Sequence, residues 1–266
     1  MDKVRGDVGL SDPLIVQYGR WLFATAKGDL GYSRFRDVEV EEVVAKRLET
    51  TTTLALLSTI MSALIAIPLG VLAAVKRGSL TDQIIGIISG INIAMPPFWI
   101  GLIIVYTTSV YFDWVPPLHY KPIYTDPLTN LTILAFPIIS VGLSASAVII
   151  RYMRSMTLEV LNDDFVRTAR SKGISEFKII IHHVIPNALI PVLTMFGFYF
   201  STTLSGVVVI EKVFNVHGIG LELVRATYAR DTDMIVGIIV ALSIIITLWI
   251  LLIDILYAYI DPRIRY

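Results

Sequence analysis

Apolar residues in this chain gather into long unbroken runs separated by short charged segments. Five stretches lack Asp, Glu, Lys and Arg over a membrane-spanning length: 51–75, 84–111, 131–150, 187–210 and 234–253, the last continuing to about Tyr259. A helix needs ~20 residues at 1.5 Å rise to cross ~30 Å of hydrocarbon. The runs are continuous rather than alternating with period two, so they predict spanning helices and not the strands of a barrel. Pro68, Pro96, Pro97 and Pro191 lie inside them and predict bends, either plain kinks or hinges.

The charges between the runs give the topology. Lys76 and Arg77 follow the first run; Arg151, Arg154, Arg167, Arg170, Lys172 and Lys178 fill the segment after the third; Arg263 and Arg265 close the chain. All three clusters fall on one side, which the positive-inside rule makes the cytoplasm. The opposite loops are poorer, with Lys121 alone between Asp113 and Asn130, and Lys212, Arg225 and Arg230 balanced by acids between Glu211 and Asp233. With the C-terminus inside and five crossings, residues 1–50 must lie outside, yet no apolar run precedes them to begin their export. An upstream helix is therefore expected before this chain or from elsewhere; the alternative is a tail that stays inside against the rule.

Composition agrees, with 55% hydrophobic and 17% charged residues. The formal net charge is zero, which gives no global attraction to nucleic acid. The absence of cysteine removes disulfides, thiolate catalysis and Cys-ligated metals. His182 and His183 are adjacent and point to different helix faces, while His119 and His217 stand without nearby ligands, so no metal is assigned. No phosphate-cradling G-x-x-x-x-G-K-[ST] occurs; Gly70 is followed by Val-Leu-Ala-Ala-Val-Lys. The chain is not expected to be an enzyme, and no cofactor is assigned.

The charged segment 151–186 has readable local structure. Asn162 or Asp163 can cap a helix through Phe165, Val166 and Ala169, Gly173 supplies a left-handed stop, and Ser175 with Glu176 begins a second helix ending before Pro186. Arg167, Arg170 and Lys172 fall on the wet face, with Phe165, Val166 and Ala169 on the other and available for docking. Such a helix pair fits either a cytoplasmic partner or anionic headgroups.

The order of residues here resembles a known motif. Arg167-Thr168-Ala169, three residues, Gly173, nine residues and His183-Val184-Ile185-Pro186 resemble the EAA loop of permease subunits of bacterial and archaeal ABC importers, with Arg167 and His183 in place of Glu and Ile. Those departures resemble the dipeptide and oligopeptide branch. So do QYGRWL at Gln17 to Leu22, GDLGYS at Gly28 to Ser33, AKRLETT at Ala45 to Thr51, PPFWIG at Pro96 to Gly101, NALIPVLT at Asn187 to Thr194 and YAYIDPRIRY at Tyr257 to Tyr266. The resemblance implies an all-α polytopic membrane helical bundle of the type I importer class, with five of an expected six spans here. It divides the chain into an external segment 1–50 and a permease domain 51–266 with a cytoplasmic coupling loop 151–186. It also implies the partners: a second homologous permease, two ATP-binding-cassette ATPases, an external substrate-binding protein and the bilayer. Asp164, Arg167, Thr168, Ala169, Arg170, Gly173, Ile174 and Pro186 would serve coupling, Ala169 by close approach and Arg167 and Arg170 by pairing with acids on the ATPase. The segment from Glu211 to Asp233 would face the binding protein or form a plain solvated hairpin.

The spans carry neutral polar groups. Ser144, Thr194, Ser201, Thr202 and Ser205 are the candidate lining of a pathway, against the commoner role of Ser and Thr in helix packing and backbone bonding. Asp254 is embedded near the cytoplasmic end, where an interfacial or paired structural role suits it better than transport. An ion-coupled carrier would hold an acid or His near the bilayer centre, and an intramembrane enzyme would need a catalytic constellation, so an ATP-independent transporter or channel is the weaker class. The expected substrate is short peptides; oligosaccharides or nickel chelates fit the same architecture.

Overall fold

The computed structural model describes residues 12–117 and 120–260; His119, Arg263, Arg265 and the last residues of the C-terminal motif lie outside them. The elements are α1 (Leu14–Ala26), a hairpin of β1 (Tyr32–Ser33) and β2 (Val38–Glu39), α2 (Val40–Val75), α3 (Leu80–Ala94), α4 (Pro97–Phe112), α5 (Pro127–Leu161), α6 (Asp164–Ser171) and α7 (Glu176–Ile179). A π turn (Ile180–Val184) leads into α8 (Ile185–Gly206), followed by α9 (Val208–Val213), α10 (Ile219–Ala229) and α11 (Thr232–Ile260). The helices long and apolar enough to cross a bilayer are 40–75, 127–161, 176–206 and 232–259.

The remaining apolar run, 84–111, is not one straight helix. It is α3 and α4, bent by 101° at the break. Pro96 biases Met95 out of the helical region (φ −96°, ψ 126°), and Pro97, with no N–H to give, starts α4. The first span also differs from the sequence reading, beginning at Val40 rather than near 51. Its early turns are polar, yet Val40 and Val44 pack with Ile219, Met234 and Ile238, so tertiary burial extends the helix beyond its charge-free run.

The most extensive helix pair is α2 with α5. Lipid tails are as apolar as leucine, so helices associate in the membrane through close packing and interhelical hydrogen bonds. Small residues make that packing possible. A Cβ added at Gly70 would stand 2.6 Å from Met153 Cβ and 2.9 Å from the Ile150 carbonyl; one at Gly142 would stand 3.1 Å from Met61 Sδ. Ala66, Ala73, Ala145, Ile149 and Met153 complete the seam, which Ala188, Val192 and Phe196 of α8 close from the side.

The helix ends away from segment 151–186 are tied by buried polar groups. Thr51 of α2 donates to Glu211 Oε1 (2.6 Å) and accepts from Ile219 N (2.8 Å), while Glu211 Oε2 accepts from Leu221 N (2.7 Å). Burial pushes the Glu211 carboxyl up, and these hydrogen bonds oppose that shift. Glu222, also buried, is flanked by Arg36 (2.5 Å) and Arg47 (3.7 Å). Ser33 of the hairpin meets Asp231 ahead of α11.

Replacing Gly70 by Val should destabilise the chain by about 1–3 kcal/mol through overpacking at Met153. A midpoint of thermal unfolding in detergent equal to that of the parent would contradict the seam. Thr51→Val should cost on the order of 2 kcal/mol, because it strands a buried acceptor and a buried donor at once; it would be read by denaturant unfolding against the conservative Thr51→Ser.

Candidate functional site

The segment joining α5 to α8 is folded onto the chain. Asn162 ends α5, its side chain bonded to the Leu158 carbonyl (2.8 Å), and Asp163 takes the N-cap position of α6 without a side-chain cap bond. Gly173 has φ 76°, a left-handed conformation that other residues adopt only with strain, and it turns α6 into α7. The Gly173 and Ile174 amides close the end of α6 on the carbonyls of Arg170 (2.9 Å) and Ala169 (3.3 Å).

Three expectations for this segment are corrected. Val166 and Ala169 are not free to dock a partner: they are buried against Ile179 and Val184, with Leu161 and Ile174 beside them, so the small side chain of Ala169 serves contact within the chain. Arg167 and Arg170 are not unpaired. Arg170 lies on Glu176, with Nε to Oε1 at 2.7 Å and Nη2 to Oε2 at 3.3 Å, and Arg167 lies 3.4 Å from Asp164 one turn back. The second helix does not end before Pro186. Proline cannot donate to the carbonyl four residues earlier; the π turn 180–184 absorbs that defect, Asn187 Nδ2 bonds the His183 carbonyl (2.6 Å), and the helix continues into the span.

Among the side chains the segment presents to solvent are Phe165 (42% exposed), Phe177 (74% exposed), Asp164, Arg167, Lys172 and Lys178. Thr168 bonds its own helix at the Asp164 carbonyl (2.9 Å) and Ile174 helps close the small core. This surface is aromatic at two points and carries both signs of charge. It suits docking.

Two ties that the sequence reading missed carry this segment to the broken span. Arg154 of α5 grips Asp82 of α3 with two parallel bonds, Nε to Oδ1 at 2.7 Å and Nη2 to Oδ2 at 2.8 Å. Asn92 Nδ2 bonds the Leu143 carbonyl at 2.9 Å, close to the break. The charges of Arg154 and Asp82 were visible in the sequence, but no spacing rule joins residues on separate helices.

Of the five candidate pathway residues, the structure brings Ser144 and Thr202 together. They line a cavity of about 190 Å³ between α5, α8 and the start of α4, with Pro97, Tyr199, Thr203 and Gly206. Thr202 and Thr203 both donate to the Tyr199 carbonyl, so their hydroxyls are partly spent on the helix. Ser201 and Ser205 bond the backbone of α8 at Gly197 and Ser201, and Thr194 meets the Tyr257 hydroxyl of α11; none of these three lines the cavity. Asp254 is exposed, with no ion pair among the described residues.

Known proteins are similar to this chain in sequence and in fold. Residues 66–266 match the family described as binding-protein-dependent transport system inner membrane component. A putative peptide transport system permease protein of Brucella abortus (strain 2308) is 37% identical over 266 residues, covering 100% of this chain and 85% of that protein. The oligopeptide transport system permease protein AppB of Bacillus subtilis (strain 168) is 38% identical over 264 residues, covering 97% of this chain and 83% of AppB. A solved structure of the MetNI methionine ABC transporter, facing inward, superposes with a TM-score of 0.65 at 16% identity, covering 82% of this chain and 96% of that one; this is a likeness of fold. By that match over most of its length and by those identities, the chain belongs to the binding-protein-dependent transport system inner membrane components, the membrane permeases of ABC importers.

Proposed function

We propose that this permease passes short peptides inward and that segment 151–186 is its coupling loop, held by a separate ATPase on the cytoplasmic side. The observation that carries the coupling role is mechanical. Val166, Ala169, Ile179 and Val184 bury the loop on the chain, Arg170 and Glu176 clip it, and its second helix enters a span without a break. A load applied to Phe165 or Phe177 would be transmitted rather than absorbed. The names of the similar proteins, a peptide permease and an oligopeptide permease, support peptides as the cargo.

The working assembly pairs this chain with a second permease, two ATPase subunits and an external binding protein, and places the C-terminus in the cytoplasm. The coupling residues fall into two sets in this reading. Asp164, Arg167 and the two phenylalanines meet the ATPase, while Ala169, Arg170, Gly173, Ile174 and Pro186 keep the loop stiff. The cavity around Ser144 and Thr202 lies beside the break between α3 and α4 and would border the route of the peptide.

Gly173→Val should uncouple hydrolysis from transport, because a β-branched residue resists φ 76°. In proteoliposomes holding the full transporter, peptide uptake is expected to fall at least tenfold while insertion and basal ATP hydrolysis persist. Normal uptake by this variant would sink the coupling role. The exchange Arg170→Glu with Glu176→Arg should restore uptake that either single change lowers by a few fold, since an exposed ion pair is worth up to about 1 kcal/mol. Uptake of labelled di- to pentapeptides, with an oligosaccharide as the comparison, tests the cargo.

A further inference from the structure

Between the inner parts of α3 and α5 lies a second cavity, of about 350 Å³, lined by Asp82, Gly86, Ser89, Ile150, Arg151 and Arg154. Its charges do not cancel. Asp82 is spent on Arg154 and on the Gly78 amide (2.9 Å). Arg151 has no hydrogen bond or ion pair among the described residues. Its guanidinium extends to the surface of α3, where Nη2 would stand 3.9 Å from a Cβ at Gly90, and nothing lies within 4 Å of a Cβ at Gly86. Ser89, 2% exposed, carries a buried hydroxyl with no partner.

A free guanidinium and an unsatisfied hydroxyl on one cavity wall are both donors. A buried polar group without a partner is costly, and a guanidinium fork matches the oxygens of a phosphate. The site lies roughly 36 Å along α5 from Pro127 at 1.5 Å per residue, the depth of headgroups beyond ~30 Å of hydrocarbon. Lys76 and Arg77 follow α2 on the same side. Ile87, one turn from Gly90 on α3, is 62% exposed and offers apolar surface beside the guanidinium for an acyl chain.

We propose that this cavity binds a phosphate group through Arg151 and Ser89, and that the group belongs to an anionic phospholipid of the leaflet on the side of segment 151–186. The naming of that leaflet as the inner one rests on the orientation given under Proposed function; the binding itself does not. Lipid held here would sit against the Asp82–Arg154 tie, between the broken span and the helix that enters the coupling loop.

The test is thermal unfolding of the purified transporter in detergent, with phosphatidylglycerol, inorganic phosphate or diacylglycerol added separately. Phosphatidylglycerol should raise the midpoint by several degrees. Arg151→Gln should weaken its apparent affinity about tenfold, Ser89→Ala by a few fold, and Lys46→Gln, exposed at the opposite end of α2, should leave it unchanged. An equal effect of inorganic phosphate would support the phosphate site and overturn the lipid source. Equal stabilisation by diacylglycerol, or an undiminished effect of phosphatidylglycerol on both cavity variants, would overturn the site. So would a structure of the assembled transporter with an acidic side chain of the second permease seated on Arg151.

Discussion

The structure depends on how closely α2 and α5 approach. Inside a bilayer there is no water to expel, so the pair is held by contact itself, and contact requires backbones within reach of each other. Gly70 against Met153 and Gly142 against Met61 provide it at two levels. Because α8 packs on the same seam through Ala188, Val192 and Phe196, the span that follows segment 151–186 is referenced to it directly.

Polar groups divide between the two ends by what each end must do. At the end away from segment 151–186, Glu211 and Glu222 are buried and surrounded by fixed donors and cations, an arrangement that locks loops to helix ends. At the end that carries segment 151–186 the ties sit nearer solvent, Arg154 to Asp82 and Arg170 to Glu176. Buried ion pairs resist removal of either partner, while exposed ones exchange at little cost. One end is thus locked by buried groups and the other is held by ties that exchange more readily.

Much of this architecture was legible in the sequence because lipid imposes a simple rule: where no charge occurs for twenty residues, a helix crosses. The same rule could not find the start of α2, since Val40 and Val44 are helical through burial against α10 and α11 rather than through lipid. Pro96 and Pro97 marked a bend, but its 101° depends on partners far along the chain, including Asn92 on the Leu143 carbonyl. In segment 151–186, the turn at Gly173 was readable from local chemistry, and α6 starts after Asp163, one of the two caps offered, although its side chain makes no cap bond. The facing of Val166 and Ala169 was readable as a stripe, but a stripe does not say whether its own chain or another covers it. Arg170 and Glu176 lie six apart, a spacing that no single helix brings together; only the left-handed turn between them does. Pro186 signalled an end to the helix, and the π turn before it cancelled that signal.

The unbroken course from Glu176 to Gly206 has a geometric consequence. At 1.5 Å per residue this rod is about 46 Å long. Pivoting it by about 10° at the Glu176 tip would sweep the Gly206 tip sideways by roughly 8 Å, comparable to the width of an extended peptide. A displacement of that size leaves every internal bond of the rod intact, so a small rotation at one end is amplified by length alone.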